Sequence, residues 1–163
     1  MRHSWQAFYD TDIGTRRLCN PATRKKILCD IEAWAIDASS EPGYWMFGLA
    51  GTGKTTIAVS VCEMLQGKKV LAATFFCSRQ MPEGNNYRLI IPTLSYQLAR
   101  FSRTFAMSLK NILTTDPDIV TKKPQTQIER LLIEPWKAVI QAAQMGTYSP
   151  VLVLDALDEC QDI

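Results

Sequence analysis

The stretch GLAGTGKT, Gly48 to Thr55, constrains the fold more than any other part of this 163-residue chain. Gly48, Gly51 and Gly53 give the backbone access to left-handed turns that side chains resist, and a lysine and a threonine follow at once. The apolar run YWMFG precedes the tract, with an aromatic content that suits a buried strand. After it, Ile57, Ala58, Val61, Cys62 and Leu65 recur at helical spacing, and Gly67 stands where a helix C-terminal glycine would. The tract therefore reads as a tight loop between a strand and a helix. In that setting the pattern G-x-x-x-x-G-K-[ST] makes a cradle for phosphate, because amide N–H groups turn inward and the helix aims its positive end at the same point. Gly48, Leu49, Ala50, Gly51, Thr52, Gly53, Lys54, Thr55 and Thr56 form the candidate binding run. Lys54 would reach the β- and γ-phosphates, and Thr55 would offer its hydroxyl to Mg²⁺. A glycine-rich turn that merely joins strand to helix is the plainer alternative.

A second run, VLVLDALDEC, ends an apolar strand on Asp155, which is placed to hold Mg²⁺ directly or through water. Apolar strands that end in aspartate are common, so this run gains meaning only from the glycine loop upstream. Asp158 and Glu159 are then candidates to position or deprotonate an attacking water, with a solvated acidic loop as the alternative.

Between these two runs the pattern alternates. Ile27, Leu28, Ile31, Trp34 and Ala35 predict an amphipathic helix from Ala22 to Ala38. VLAATFFC, Val70 to Cys77, is apolar enough for a strand buried on both faces, as in a parallel sheet. SRQMPEGNNY reads as a loop. RLIIPTLSYQLARF and TFAMSLKNIL return to helical period, with Pro92 early enough to be tolerated near a helix start. TTDPDIVTKKPQ reads as a linker, Thr126 with Glu129 has capping-box spacing, and Pro135 is expected to interrupt the next helix or to begin another. PVLVLDA is the third strand. The order argues for an α/β domain with a mostly parallel sheet, in which ligands bind outside the carboxyl ends of the strands.

Composition narrows the choice. Charged residues are 21% and the net charge is +2, so neither disorder nor a nucleic-acid interface is indicated. Five cysteines with no CxxC pair suggest reduced thiols in an intracellular setting, and His3 as the sole histidine excludes His-based metal sites and triads. No stretch approaches the ~20 apolar residues that span a bilayer, nor has the N-terminus a signal-peptide run; a cytoplasmic protein without membrane contact is expected.

GLAGTGKTTIA and VLVLDALDEC, with PATRKKILCDIEAWA before the loop, ATFFCSR after it, and IPTLSYQLA and DPDI between, resemble the NACHT-type NTPase domain of fungal signal-transduction proteins, the group with a nephrocystin-3-like N-terminus. The likeness runs from about Cys19 to Cys160, after a lead-in over residues 1–18. It implies a P-loop NTPase three-layer sandwich that binds ATP or GTP with Mg²⁺ and uses slow hydrolysis as a conformational switch within a larger receptor-like protein. By that likeness Gly48, Gly51, Gly53, Lys54 and Thr55 belong to Walker A, Asp155, Asp158 and Glu159 to Walker B, and Arg24 approaches the nucleotide.

The same likeness implies a further strand between the Walker-A and Walker-B strands, and the 163 residues do not include it. The sheet is accordingly expected to be incomplete at its C-terminal strands, with the two Walker strands roughly 10 Å apart rather than 5. An apolar channel lined by YWMFG and VLVLD, weak or no hydrolysis, and homotypic contacts with NACHT relatives follow as expectations. Two further readings stay open. One is a non-catalytic interaction module. The other, a small P-loop kinase, is disfavoured by the lack of an arginine-bearing lid after the last strand.

Overall fold

The loop and the acidic run are positioned by one helix packed on two strands. The computed structural model describes residues 1–4, 7–9, 18–19, 23–79, 84–142 and 149–160. Helix α1 (Lys25–Ile36) is followed by α2 (Lys54–Gly67) and strand β1 (Leu71–Phe76). Helices α3 (Ile90–Phe101) and α4 (Arg103–Thr115) come next, then a short α5 (Pro124–Ile128), α6 (Glu134–Gln141) and β2 (Val151–Asp155). The result is a mixed α/β structure in which β1 and β2 pair in parallel, Leu71 opposite Val151 and Phe76 opposite Asp155.

Helix α2 is apolar on two faces. Ile57, Val61 and Leu65 cluster with Ile31 and Ala35 of α1 and with Val70 and Val151 at the start of the strands. Ala58, Val59 and Cys62 cluster instead with Phe76 at the end of β1. The other side of β1 meets the larger core, where Ala73 and Phe75 join Leu94 and Leu98 of α3 and Phe105 and Leu109 of α4. Burial of β1 on both faces follows from its unbroken apolar run. The helices expected around Ile31, Ile57, Leu94 and Leu109 are therefore present, α1 stopping two residues short of Ala38, and Ala22 lying outside the described residues.

Four expectations need correction. Among the described residues the sheet has two strands, and 44–49 forms none; that it does not pair with β2 agrees with the expected gap between the two Walker segments. Met46 does pack against the α1–α2 cluster, but Trp45 and Phe47 are 83% and 85% exposed, values that no core strand shows. Both edges of β1 are taken: one by β2, the other by the Ala7 carbonyl, which accepts from Phe76 N–H at 2.9 Å, and by the Gln97 amide. That amide accepts from Thr74 N–H at 3.1 Å and donates to Thr74 O at 2.7 Å, imitating a neighbouring strand. Leu152 and Leu154 of β2 are exposed, as are Trp45, Phe47 and Leu49, which agrees with the expectation that YWMFG and VLVLD leave apolar surface open.

The glycine after α2 is a second correction. Gly67 is the last helical residue, and the left-handed position falls on Lys69, at φ 60°. Third, the linker is structured, with a 3₁₀ turn over Pro117–Thr121. Fourth, Thr126 and Glu129 form no capping box: Pro124 starts the helix, since a first-turn residue needs no N–H partner, and Thr126 lies inside it.

Pro135 lies in the first turn of α6, in line with the expectation that it interrupts one helix or starts another. A π-type stretch over Glu129–Ile133 joins α5 to α6 without a break. Proline has no N–H to give to the carbonyl four residues back, that of Leu131. The buried Ser95 hydroxyl, shared with Ile91 O at 2.8 Å, lies 3.1 Å from Leu131 O and satisfies it from α3. Among the described residues no helix is long and apolar enough to cross a membrane. Ser95→Ala would leave the Leu131 carbonyl without its donor. It should lower unfolding stability by about 1–2 kcal/mol, seen as a lower urea midpoint with an unchanged slope.

Candidate functional site

The glycine loop starts α2. Gly51 and Gly53 have φ of 77° and 81°, the left-handed region that glycine enters freely, and Gly53 is the residue that caps the helix. The first intrahelical bond runs from Ile57 N–H to Gly53 O, at 3.1 Å. Helix geometry therefore leaves the N–H groups of Gly53, Lys54, Thr55 and Thr56 without intrahelical acceptors, gathered at the positive end of α2.

The loop's carbonyls are held by cations. Lys54 Nζ donates to Gly48 O at 2.8 Å and to Leu49 O at 3.0 Å. Leu49 O also accepts from the Thr52 hydroxyl at 2.8 Å. From the other side the Arg24 guanidinium donates to Gly53 O at 2.9 Å and to Thr52 O at 2.6 Å. A Cβ built on Gly53 would lie 2.5 Å from Arg24 Nη1, so only glycine admits this contact. Arg24 thus meets the loop through its carbonyls, a placement the sequence did not indicate.

Asp155 ends β2 and is buried. Its backbone carbonyl accepts from Cys77 N–H at 3.0 Å, continuing the parallel pairing by one residue. Ala156 then adopts a left-handed conformation, φ 54°, which turns the chain sharply into a 3₁₀ turn over Leu157–Glu159. Asp158 is exposed, and a Glu159 carboxylate oxygen accepts from Arg79 N–H at 3.3 Å. The segment after β1 therefore flanks the acidic run. In the sequence, residues 77–79 read as strand end and loop and as part of the stretch ATFFCSR; their place beside Asp155 follows from the register of β1 with β2.

Loop and acidic run lie at the same end of the sheet. Helix α2 ends at Gly67 and β1 starts at Leu71, with Val70 N–H donating to Leu65 O at 3.1 Å, so the chain turns straight back from the helix into the strand it packs on. Helix α2 consequently runs antiparallel to the strands, and its N-terminus stands at their carboxyl ends with Asp155. Asp155, Asp158 and Glu159 do not close on one another: among the described residues no group of three acidic, histidine or cysteine side chains is placed to hold a metal.

The family to which the chain belongs follows from its sequence profile: residues 23–163 match the nephrocystin 3 N-terminal family, so this chain is a member of it. That span takes in α1, the glycine loop and the acidic run together. No curated protein and no solved structure matches the chain.

Thiols next to the acidic run give a check on this arrangement. Among the described residues the five cysteines form no disulfide, and Cys62, Cys77 and Cys160 are buried. Burial pushes the Cys77 thiol far above its ordinary value, and its hydrogen bond with Cys160 and the nearby charges of Asp155 and Glu159 add to the rise. Burial also raises Cys160, against the opposing effect of the bond with Cys77. A thiol raised by folding ionises first in the unfolded chain. The contribution of these two thiols to stability should therefore be unchanged below the unfolded thiol value of roughly 8.5 and fall as pH rises above it. Iodoacetamide at pH 8 should label the exposed Cys29 well before Cys77 and Cys160, which mass spectrometry of digested protein would read.

Proposed function

We propose that this chain binds a nucleoside triphosphate, ATP or GTP, with Mg²⁺, as a nucleotide-responsive domain of the NACHT type on a P-loop scaffold. The observation that carries the reading is the helix-capping loop: left-handed Gly51 and Gly53, followed by four amide donors at the positive end of α2. The residues fit the ligand. The loop offers N–H groups where an anion would sit, and Lys54 supplies a mobile positive charge that can exchange the Gly48 and Leu49 carbonyls for phosphate oxygens. Membership of the nephrocystin 3 N-terminal family over residues 23–163 accords with this reading, since the family's span includes both motifs.

Magnesium would be held by the Thr55 hydroxyl and the Asp155 carboxylate, with phosphate oxygens and water completing its shell. That ion is bound through one or two protein groups together with phosphates, which is the role Thr55 and Asp155 would fill. When bound, it would neutralise phosphate charge and orient the terminal phosphoryl group. Asp158 and Glu159 are the side chains available to orient a water. Glu159 is anchored at the Arg79 amide, while Asp158 stands in solvent, and turnover is expected to be weak or absent in this chain.

The exposed Trp45, Phe47, Leu49, Leu152 and Leu154 favour one other reading, an interaction module in which apolar surface contacts related chains. Calorimetric titration separates the two. Wild-type protein should bind Mg²⁺ with ATP or GTP saturably, and Lys54→Ala should weaken binding by about 10- to 100-fold, as expected for loss of a charged hydrogen bond to phosphate. A folded wild-type chain that binds neither nucleotide would remove this function and leave the interaction module in front.

A further inference from the structure

Arg24 precedes the first residue of α1 and is 29 positions from Gly53, yet it is bonded to the loop that starts α2. Its backbone is left-handed, φ 60°, a conformation that side chains rarely adopt, and its own carbonyl accepts from Leu28 N–H to begin α1. The residue is thus fixed at both ends, its main chain in the helix start and its guanidinium on the loop.

Peptide geometry converts those contacts into a statement about the cradle. In a trans peptide the carbonyl and the N–H of the same plane point in opposite directions. The Thr52 carbonyl shares its plane with the Gly53 N–H, and the Gly53 carbonyl with the Lys54 N–H. Because Arg24 holds the Thr52 carbonyl at 2.6 Å, the Gly53 N–H of that plane points away from the guanidinium; the Gly53 carbonyl, 2.9 Å from Arg24, also accepts from Ile57 N–H at 3.1 Å, so Arg24 and α2 together direct the Lys54 N–H. These two N–H groups are the first two of the four donors at the start of α2. The planar guanidinium suits the task, since its two terminal nitrogens reach two adjacent carbonyls at once, one each.

We propose that Arg24 is a positioning residue of the phosphate-binding loop: from outside the cradle it sets the direction of the Gly53 amide donor and, jointly with α2, that of Lys54. This differs from a direct contact with nucleotide, because the guanidinium donates to loop carbonyls, and no carbonyl can be exchanged for phosphate without releasing the donors it orients. The functional half of the inference rests on the nucleotide reading of the loop. The geometric half concerns the free protein alone.

Arg24→Ala and Arg24→Lys test both halves. The first readout is the amide ¹H–¹⁵N resonances of Gly53 and Lys54 in nucleotide-free protein, with Ile31 and Leu65 as controls for the α1–α2 core. The second is calorimetric affinity for Mg²⁺-ATP, Mg²⁺-GTP and inorganic tripolyphosphate. Arg24→Ala should move the two loop amides, leave the core amides in place and weaken triphosphate binding by about tenfold. Arg24→Lys, which keeps the charge on a single nitrogen, should recover part of both. Unmoved loop amides in Arg24→Ala would overturn the proposal, as would moved amides with unchanged affinity for every triphosphate. If wild-type protein binds none of these ligands, the nucleotide function fails, while the hold of Arg24 on the loop is still decided by the resonances.

Discussion

Burial of α2 on two faces is the constraint from which the remaining geometry follows. One face is closed by α1 and the strand starts, the other by Phe76 at the end of β1. A helix held on two sides cannot roll or slide without opening both contacts, and each buried aliphatic side chain contributes roughly 1.5–3 kcal/mol to keeping them shut. Its N-terminus is accordingly fixed at the carboxyl end of the sheet. The glycine loop inherits that position from packing, and so does its relation to Asp155.

Electrostatics then finishes what packing begins. A loop rich in glycine loses more conformational entropy on ordering than any other, so its shape needs partners. Two cations provide them, Lys54 for the Gly48 and Leu49 carbonyls and Arg24 for those of Thr52 and Gly53. With the negative ends of these peptide dipoles tied to cations, the amide ends are left for an anion. The two cations differ in what they can give up. Lys54 lies on the helix that bears the donors and can move with a ligand, whereas Arg24 comes from a separate helix start and acts as a fixed strut.

Much of this was legible in the sequence, and the rest depended on contacts between distant residues. Periodic apolar positions such as Ile31, Ile57, Val61 and Leu109 marked their helices because amphipathic burial is a local signal. The glycine loop was legible because left-handed turns demand glycine. YWMFG misled as a strand because apolar content reports a preference for burial and does not supply the neighbour that would cover it: Trp45 and Phe47 are exposed and the segment pairs with neither strand. Thr126 and Glu129 had the spacing of a cap, yet Pro124 claimed the helix start first. The Leu131 carbonyl, four residues before Pro135, accepts from a serine 36 residues away in sequence. Arg24 is the same kind of case, since nothing near it in sequence shows that it would find the Thr52 and Gly53 carbonyls.

The central claim is that the N-terminus of α2 receives phosphate. A crystal structure of the chain with Mg²⁺ and a non-hydrolysable nucleoside triphosphate tests it most directly. The account predicts phosphate oxygens at hydrogen-bond distance from the amides of Gly53, Lys54, Thr55 and Thr56, Lys54 Nζ moved from the Gly48 and Leu49 carbonyls to phosphate, and Arg24 still on Thr52 and Gly53. Nucleotide bound elsewhere, with Lys54 still on the loop carbonyls, would contradict it.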